Sequence, residues 1–413
     1  MELECLGASG EVGRSAFLLK TDKKIMLDYG IKLFDESGTA KFPEQTNVNP
    51  DFAVLSHAHL DHSGCIPALY TSGKIRWYGA LPTKDIAEVL WKDSMKIMGD
   101  GLPYRLGHFR KALDYFTPLE YKKTTTMGET DLTLYDAGHI SGSALVELEY
   151  KNKKIVYTGD FKCEETHMHQ GAKYIEDVDT LIIESTYANR EHPDRKEVEQ
   201  KVMEQIYETI DKGGNMLFPS FALGRTQELI ALVRHYDKDI PVYVDGMGRE
   251  ITNIYLKHPR FIKNANKLRD AVNSVRMVEG IPDKKDATRE PSVIISTAGM
   301  MNGGPILNYL FHSNQNSKLI FTGYCVEETN GWYLQNKGFI MKDEEELHVD
   351  LPFEYMDLSA HAGRTDILNF IKHANPQKIV VVHGDNTQGF ADELNESFGY
   401  DAVAPKAGEK IQV

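Results

Sequence analysis

Short apolar runs separated by polar turns recur in the first 190 and the last 60 or so residues of the chain. Residues 132–136 alternate apolar and polar side chains, which is typical of a β-strand with one buried face. The other runs are short and bounded by turn residues, which also favours strands. The predicted strands lie at 24–27, 53–55, 132–136, 154–158, 180–183 and 378–382.

The central part of the chain has a different pattern, in which predicted strands and helices alternate. Helices are predicted at 195–210, 226–236 and 249–257, and strands at 216–218, 241–244, 293–295 and 319–321. This order predicts a parallel sheet in an inserted domain. Residues 282–291 are polar and predict an exposed loop.

The predicted fold class is therefore α/β, with more than one hydrophobic core for 413 residues. We expect one domain in two pieces, 1–190 and 351–413, and an inserted domain at 191–350.

Ionisable residues follow every predicted strand of the outer domain. They are Asp28, the run His57, His59, Asp61 and His62, then His139, Asp160, Glu184 and His383. A single histidine or aspartate at a strand end is more often a structural hydrogen-bond partner. Six such strand ends together favour a site at the carboxyl edge of a sheet.

The densest group places three imidazoles and a carboxylate within six residues, from His57 to His62. Because a catalytic zinc usually takes three protein ligands, these four side chains crowd a single ion. The pattern predicts two neighbouring metals, with His57 and His59 on one and Asp61 and His62 on the other.

Composition limits the class of protein. Hydrophobic residues make up 41% of the chain and charged residues 26%, as in ordinary globular proteins. No apolar run is long enough for a membrane span and no signal sequence begins the chain, so we expect a cytoplasmic protein. The four cysteines form no Cys-x-x-Cys pair, so we expect reduced thiols.

The formal net charge of −14 argues mildly against a nucleic-acid-binding protein, because such proteins usually carry a basic surface. Two divalent metals would add four positive charges where a phosphate must approach. For a nucleic-acid substrate this charge predicts weak and salt-sensitive binding unless a second RNA-binding module is present.

Taken together, these motifs resemble a known family. Asp28, the His57 to His62 run, His139 and Asp160 resemble four successive motifs of the metallo-β-lactamase fold. Glu184, His361 and His383 resemble three further motifs of its β-CASP branch, as do residues 218–228 and 299–305. The chain is most similar to the CPSF-type endonuclease of pre-mRNA 3′-end processing and its archaeal and bacterial relatives, without their KH-type extension. The resemblance implies an αββα sandwich with an inserted parallel-sheet β-CASP domain.

The resemblance also implies a ligand set. His57, His59 and His139 would bind one zinc ion, Asp61, His62 and His383 a second, and Asp160 would bridge the two. Zinc is favoured over magnesium because nitrogen ligands dominate the set. Asp28 is expected to hold the histidine run in place instead of binding metal.

Two further groups of residues receive roles from the resemblance. His361 would protonate the leaving 3′ oxygen or brace the phosphate, with Glu184 orienting it. Arg225, the helix that starts beside it, and the Gly303–Gly304 pair would contact the RNA backbone in a cleft between the domains.

The expected activity is hydrolysis of single-stranded RNA by a zinc ribonuclease that leaves a 5′ phosphate and a 3′ hydroxyl. Cleavage inside the RNA and cleavage from its 5′ end both stay open. A hydrolase of DNA or of a small molecule, and a non-catalytic subunit of an RNA-processing complex, are the alternatives. The resemblance further suggests a homodimer joined through the C-terminal region, with which residues 405–413 are compatible.

Overall fold

The computed structural model of the protein describes residues 1–33, 39–44 and 48–413. The chain forms two compact units. The first comprises Met1–Glu165, His169–Glu191 and Ala360–Val413, and the second comprises Thr166–Met168 and His192–Ser359. The predicted domain boundaries at 190/191 and 350/351 stay a proposal. For comparison, the chain passes from one compact unit to the other at 191/192 and again at 359/360.

Two seven-stranded sheets form the first unit. One contains β1 (Glu2–Cys5), β2 (Ala16–Lys20), β3 (Lys24–Tyr29), β4 (Phe52–Val54), β5 (Arg76–Gly79), β6 (Phe116–Pro118) and β22 (Lys410–Gln412), in the order β22-β1-β2-β3-β4-β5-β6. The other contains β7 (Thr125–Met127), β8 (Thr130–Asp136), β9 (Ala144–Tyr150), β10 (Lys153–Tyr157), β11 (Thr180–Glu184), β20 (Lys378–Val382) and β21 (Ala402–Val403), in the order β21-β20-β11-β10-β9-β8-β7. Strands β3, β4 and β5 run parallel, as do β10, β11 and β20, so each trio ends at one edge of its sheet.

The two sheets share one apolar layer. Phe17 and Leu27 of the first sheet pack there with Ile182 and Val380 of the second. The helices of this unit are α1 (Leu60–Ser63), α2 (Leu81–Met98), α3 (Leu106–Asp114), α11 (Arg364–Ala374) and α12 (Thr387–Phe398), with short 3₁₀ helices at Ile66–Tyr70 and Gly99–Gly101.

Helices cover the outer faces of both sheets. Ile183, next to Ile182 along β11, points to the opposite face and packs with Phe370 of α11, as the period of two along a strand requires. Trp77 of β5 packs against Trp91 of α2, with 5.8 Å between ring centroids. The first unit is therefore an αββα sandwich, as predicted.

The second unit is built on a six-stranded parallel sheet. Its strands are β12 (Asn215–Pro219), β13 (Val242–Asp245), β14 (Arg276–Met277), β15 (Ser292–Ser296), β16 (Lys318–Phe321) and β19 (Phe353–Tyr355), in the order β14-β13-β15-β12-β16-β19. The remaining elements are the hairpin β17 (Phe339–Lys342) and β18 (Glu345–His348), a 3₁₀ helix at Pro259–Phe261, and α4 (Arg195–Asp211), α5 (Arg225–Tyr236), α6 (Gly248–Lys257), α7 (Ala265–Asn273), α8 (Ile281–Arg289), α9 (Ile306–His312) and α10 (Asn330–Lys337). Both faces of the sheet are buried, since Phe218 and its neighbour Leu217 belong to different apolar clusters. The predicted parallel sheet is confirmed.

The prediction that residues 282–291 form an exposed loop is wrong. Residues Ile281–Arg289 form α8, with a proline in its first turn and Ala287 buried. Proline suits the first turn of a helix because the N–H it lacks has no partner there. Apart from Ala287 the segment is exposed or partly exposed, so its polar composition marks the outer face of a helix and not a break in structure.

No helix in the described part of the chain is long and apolar enough to cross a membrane. The four cysteines are free thiols, three of them buried.

Candidate metal centre

The predicted ligands of the first unit come together at the carboxyl ends of its strands. The seven predicted ligands lie in the loops or the single-turn helix that follow β4, β8, β10 and β20, and the predicted supporting residues Asp28 and Glu184 lie in β3 and at the end of β11. Asp28 and His383 adopt left-handed backbone conformations, with φ of 56° and 48°. Such conformations are unfavourable for residues with a Cβ and cluster at functional sites.

A glycine lets the histidine run approach β3 closely. A Cβ at Gly30 would lie 1.8 Å from the backbone oxygen of Asp61. The N–H of Ser15 donates to that same oxygen at 2.7 Å. Only a residue without a side chain fits at position 30, so the turn that carries Asp61 and His62 is held directly over the strand.

Three imidazoles form the first group of ligand atoms. His59 Nδ1 lies 3.1 Å from both His57 Nε2 and His139 Nε2. Zinc–nitrogen bonds of about 2.05 Å place the ligands of a tetrahedral ion about 3.3 Å apart. Both distances from His59 Nδ1 therefore match the spacing of neighbouring corners of one coordination sphere.

Asp61, His62 and His383 form the second group. His383 Nε2 lies 3.3 Å from Asp61 Oδ2, and His62 Nε2 lies 3.8 Å from the same oxygen. Thr186 supports His383 by donating from Oγ1 to its backbone oxygen at 3.2 Å. This set holds two nitrogens and one carboxylate.

Asp160 lies between the two groups, and each of its oxygens faces one of them. Oδ2 lies 3.5 Å from His57 Nε2 and 3.8 Å from His139 Nε2. Oδ1 lies 3.2 Å from His62 Nε2 and 3.3 Å from His383 Nδ1. Although Oδ1 is buried, it has no hydrogen-bond partner among the described residues. A buried carboxylate oxygen without such a partner is typical of a metal ligand.

Asp28 holds the histidine run through its hydrogen bonds. Its Oδ1 accepts from the N–H of Ser56 at 2.6 Å, and its Oδ2 accepts from Ser56 Oγ at 2.6 Å. Oδ2 also lies 2.7 Å from His62 Nδ1 and accepts from the hydroxyl of Tyr157 at 2.7 Å. Hydrogen bonds of this kind fix the tautomer and orientation of a metal-binding imidazole.

The sequence analysis did not single out Ser56 or Tyr157. Ser56 directly precedes His57 and Tyr157 ends β10, so both occupy strand-end positions like those of the predicted ligands. That position is the one signal that could have found them.

His361 and Glu184 form a third part of the site. His361 Nδ1 lies 3.2 Å and 3.3 Å from the two carboxylate oxygens of Glu184. Glu184 is buried, and its Oε1 accepts from the N–H of Phe161 at 3.0 Å. The backbone oxygen of Ala360 lies 2.8 Å from His139 Nδ1, so the loop of His361 also positions a ligand.

The charges of the site separate the imidazoles into two kinds. Burial lowers the pKa of His59 to about 4 and lowers those of His57 and His139 as well, which keeps all three neutral. Burial acts the same way on His361, but attraction to Glu184 and Asp160 and the hydrogen bond to Glu184 raise its pKa to about 9.

The carboxylates stay ionised despite their burial. Burial opposes ionisation of Asp160, but attraction to His62 and His383 holds its pKa well below the usual range. His62 and His383 likewise have raised pKa values, because Asp160 and Asp61 outweigh the effect of burial.

These residues fit a pair of transition-metal ions. Imidazole suits zinc and its neighbours in the first transition series, and the carboxylates supply negative charge to balance a divalent ion. Within each group, together with Asp160, the ligand atoms lie within 4.8 Å of one another. A metal cofactor therefore follows from the donor set.

The predicted RNA-contacting residues lie in the second unit and are not part of this cluster. Arg225 is half-buried, and its Nη1 donates to the backbone oxygen of Leu358. Burial and the nearby Arg195 lower the pKa of Arg225 to about 10. Gly303 and Gly304 have backbone φ angles of 119° and 78°, which residues with a side chain rarely adopt.

The second unit contains another buried cluster of ligand-type side chains, which the sequence analysis missed. His167 Nε2 lies 3.1 Å from Glu199 Oε2, and the N–H of His167 donates to Glu228 Oε1 at 3.0 Å. Arg195 donates from Nε to Glu199 at 2.8 Å and also pairs with Glu228. Tyr236 donates its hydroxyl to Glu199 at 3.2 Å. Here an arginine neutralises the carboxylates.

Three protein-family models match the chain. The model described as a metallo-beta-lactamase superfamily domain matches residues 18–187, and the Beta-Casp domain model matches residues 226–334. The model described as a Zn-dependent metallo-hydrolase RNA specificity domain matches residues 346–405.

Several curated proteins are similar over most of their length. "Probable RNase MJ4" of Methanocaldococcus jannaschii is 37% identical over 100% of both chains. "RNase aCSPSF2" of Saccharolobus solfataricus is 35% identical over 100% of this chain and 85% of its own. "Transcription termination factor FttA" of Methanothermobacter thermautotrophicus is 31% identical over 100% of this chain and 71% of its own.

Among solved structures, a protein of unknown function from Enterococcus faecalis V583 is similar in fold. It matches with a TM-score of 0.65 at 15% identity and covers 99% of each chain.

Proposed function

The chain belongs to the β-CASP branch of the metallo-β-lactamase superfamily and is a metal-dependent ribonuclease, and from this premise we propose that it hydrolyses single-stranded RNA with two zinc ions. The observation that carries the proposal is the position of Asp160. Each of its two oxygens faces a separate group of ligand atoms, which is the arrangement that a bridging carboxylate needs. The nitrogen-rich donor set supports zinc over magnesium.

In this proposal His57, His59 and His139 would hold the first ion, and Asp61, His62 and His383 would hold the second. Asp28 fixes the orientation of His62 and of the loop that starts at Ser56. When bound, the two ions would lower the pKa of a water molecule and neutralise the charge that develops on the phosphoryl oxygens.

His361 acts as the proton donor to the leaving 3′ oxygen. Glu184 holds it through Nδ1, which leaves Nε2 as the nitrogen that carries the transferred proton. The contact with Glu184 supports this role, because a carboxylate partner favours the protonated form of the imidazole. Proton transfer of this kind leaves a 3′ hydroxyl and a 5′ phosphate.

Arg225, Gly303 and Gly304 contact the RNA backbone in this proposal. A Cβ at Gly303 would meet no atom within 4 Å, so the main chain there is open to a ligand. Wild-type RNA affinity and rate in an Arg225→Ala variant would contradict the role of Arg225, and Arg225→Lys, which keeps the charge, is the matched control.

We further propose a cytoplasmic homodimer joined through residues 405–413. Within the described residues β22 is an outermost strand of its sheet and pairs with β1 alone. A strand of this kind can pair with a second copy. A monomer mass in light scattering would refute the dimer.

The test of the function uses zinc-loaded protein and single-stranded RNA labelled at its 3′ end, carrying either a 5′ monophosphate or a 5′ triphosphate. Internal fragments with both substrates indicate an endonuclease, and stepwise loss from the monophosphorylated end indicates a 5′-to-3′ exonuclease. Asp160→Ala is the inactive control. Cleavage of single-stranded DNA alone, or of neither nucleic acid, would contradict the proposal.

A further inference from the structure

A surface cavity of about 480 Å³ lies in the first unit, away from the metal ligands. Three of the residues that line it are cations, Lys23, Lys74 and Arg76, and one is a carboxylate, Asp51. Among the described residues none of the three cations forms a salt bridge, although Arg76 Nη1 donates to Thr117 Oγ1 at 3.2 Å. The lining is therefore positive, on a chain whose net charge is −14.

Aromatic rings form the wall between these charges. Phe52, Tyr78 and Tyr115 line the same cavity, and both tyrosines are partly exposed. Phe52 packs edge-on against Tyr78, with 5.7 Å between the centroids, so the position of Tyr78 is fixed by the core. We call this feature, formed by the three cations and three aromatic residues, the basic cleft.

The topology places the basic cleft opposite the metal centre. Phe52 and Arg76 begin the parallel strands β4 and β5, whereas the ligand His57 follows the other end of β4. Five residues of extended chain, from Phe52 to His57, span about 16 Å at 3.3 Å per residue. A ligand in the basic cleft is thus too far away to touch the metal ligands directly.

We propose that the basic cleft is a second binding site for single-stranded RNA, in which phosphates contact Lys23, Lys74 and Arg76 and a base stacks on Tyr78 or Tyr115. Cations interleaved with aromatic rings are the combination that binds single strands without sequence preference. This inference rests on the ribonuclease function proposed above. It provides a cationic anchor on a protein whose acidic surface otherwise repels RNA.

The geometry gives the proposal a length dependence. An RNA that occupies both the cleft and the metal centre must cover at least about 16 Å, or about 5 stacked nucleotides at 3.4 Å each. Oligonucleotides shorter than this reach only one of the two sites.

The first test is a charge reversal, Lys23→Glu with Lys74→Glu and Arg76→Glu. For RNA of about 30 nucleotides we expect KM to rise about 10- to 100-fold with kcat unchanged. The plot of log affinity against log salt should become less steep by about 2, because each lost phosphate contact removes about 0.7 from the magnitude of its slope. For RNA of about 4 nucleotides neither constant should change.

The matched control reverses three exposed lysines elsewhere, Lys111→Glu with Lys201→Glu and Lys372→Glu, and so changes the net charge equally. If KM for long RNA rose equally in the control and in the cleft variant, the proposal would be overturned, because the effect would come from net charge alone. An equal rise of KM for long and short RNA in the cleft variant would also overturn it.

A binding measurement keeps this inference separate from the proposed activity. Asp160→Asn protein, with and without the cleft reversal, is titrated with labelled RNA. If the wild type cleaves no RNA, the activity proposal fails, while lower affinity of the cleft variant still supports the site. Unchanged affinity would overturn the site whatever the activity.

Stacking distinguishes RNA from other polyanions. The double variant Tyr78→Leu with Tyr115→Leu should weaken binding of RNA about 5- to 100-fold, as expected for one stacked base, and leave binding of inorganic polyphosphate unchanged. If polyglutamate displaced RNA from the cleft as well as unlabelled RNA does, the proposal would be wrong, and the cleft would suit an acidic protein instead.

Discussion

Each unit of this protein contains a buried cluster of histidine and carboxylate side chains at ligand spacing, and the two clusters differ in what neutralises the carboxylates. In the second unit, Arg195 contacts both Glu199 and Glu228. In the described part of the first unit, Asp61 and Asp160 pair with imidazoles alone.

The comparison shows that ligand spacing by itself does not identify a metal site. Buried charges need a partner, and a cation within the chain removes the demand for an ion. The first cluster combines nitrogens spaced like coordination corners with a buried oxygen of Asp160 that accepts no hydrogen bond from the described residues. We therefore expect metal in the first cluster and a structural ion pair in the second.

The largest effect should come from Asp160→Asn, because this carboxylate faces both groups of ligand atoms. RNA cleavage under single-turnover conditions should fall by about 1,000-fold or more. Zinc content, measured by mass spectrometry, should fall in the same variant. Asp114→Asn, at an exposed position, is the control. A wild-type rate in Asp160→Asn protein would remove the metal centre from the mechanism.

The second cluster should respond in stability and not in metal content. Arg195→Met leaves Glu199 and Glu228 buried without their cation, so the free energy of unfolding should fall by about 3–5 kcal/mol. Denaturant titration measures this change, and Lys201→Met, exposed on the same helix, should change it by less than about 0.5 kcal/mol. Loss of zinc from Arg195→Met protein would show that the second cluster binds metal after all.

His361→Ala separates proton transfer from metal binding within the first cluster. Cleavage should slow by about 100-fold, at the lower end for general acid catalysis, while zinc content stays at the wild-type value. His312→Ala removes an exposed imidazole and serves as control. A wild-type rate with full zinc would exclude His361 as the proton donor.

The difference between the clusters also explains what sequence reasoning could find. The ligands of the first unit follow apolar runs that predict strands, and all six of those strands are confirmed within two residues. Parallel strands bring their carboxyl ends to one edge, so the residues at those ends could be predicted to meet.

Side-chain partners far apart in the chain left no such signal. Tyr157 contacts Asp28 across 129 residues, and its position at the end of β10 indicates a site residue but not its partner. Arg195, Glu199 and Glu228 lie on helices, where charged residues are common, so the sequence could not predict the second cluster. The loop predicted at 282–291 rested on polar composition, which a partly exposed helix such as α8 shares.

The smallest effect should appear in the pH dependence of the second cluster. Burial alone would raise the pKa of Glu199, but hydrogen bonds from His167 and Arg195 and their charges lower it to about 2. Because the folded-state pKa is lowered, the stabilisation from Glu199 is present above the pKa of about 4.3 expected in the unfolded chain. It is lost as the pH falls from there toward about 2.

The difference in unfolding free energy between wild type and Glu199→Gln should therefore shrink between about pH 6 and about pH 3, by on the order of 1 kcal/mol. Both proteins are measured with chelator present, so that loss of metal from the first cluster does not enter. Glu197→Gln, exposed on the same helix, should show no such change. A constant difference across this range would mean that Arg195 and His167 do not hold Glu199 ionised, and the contrast between an arginine-neutralised and a metal-neutralised cluster would fail.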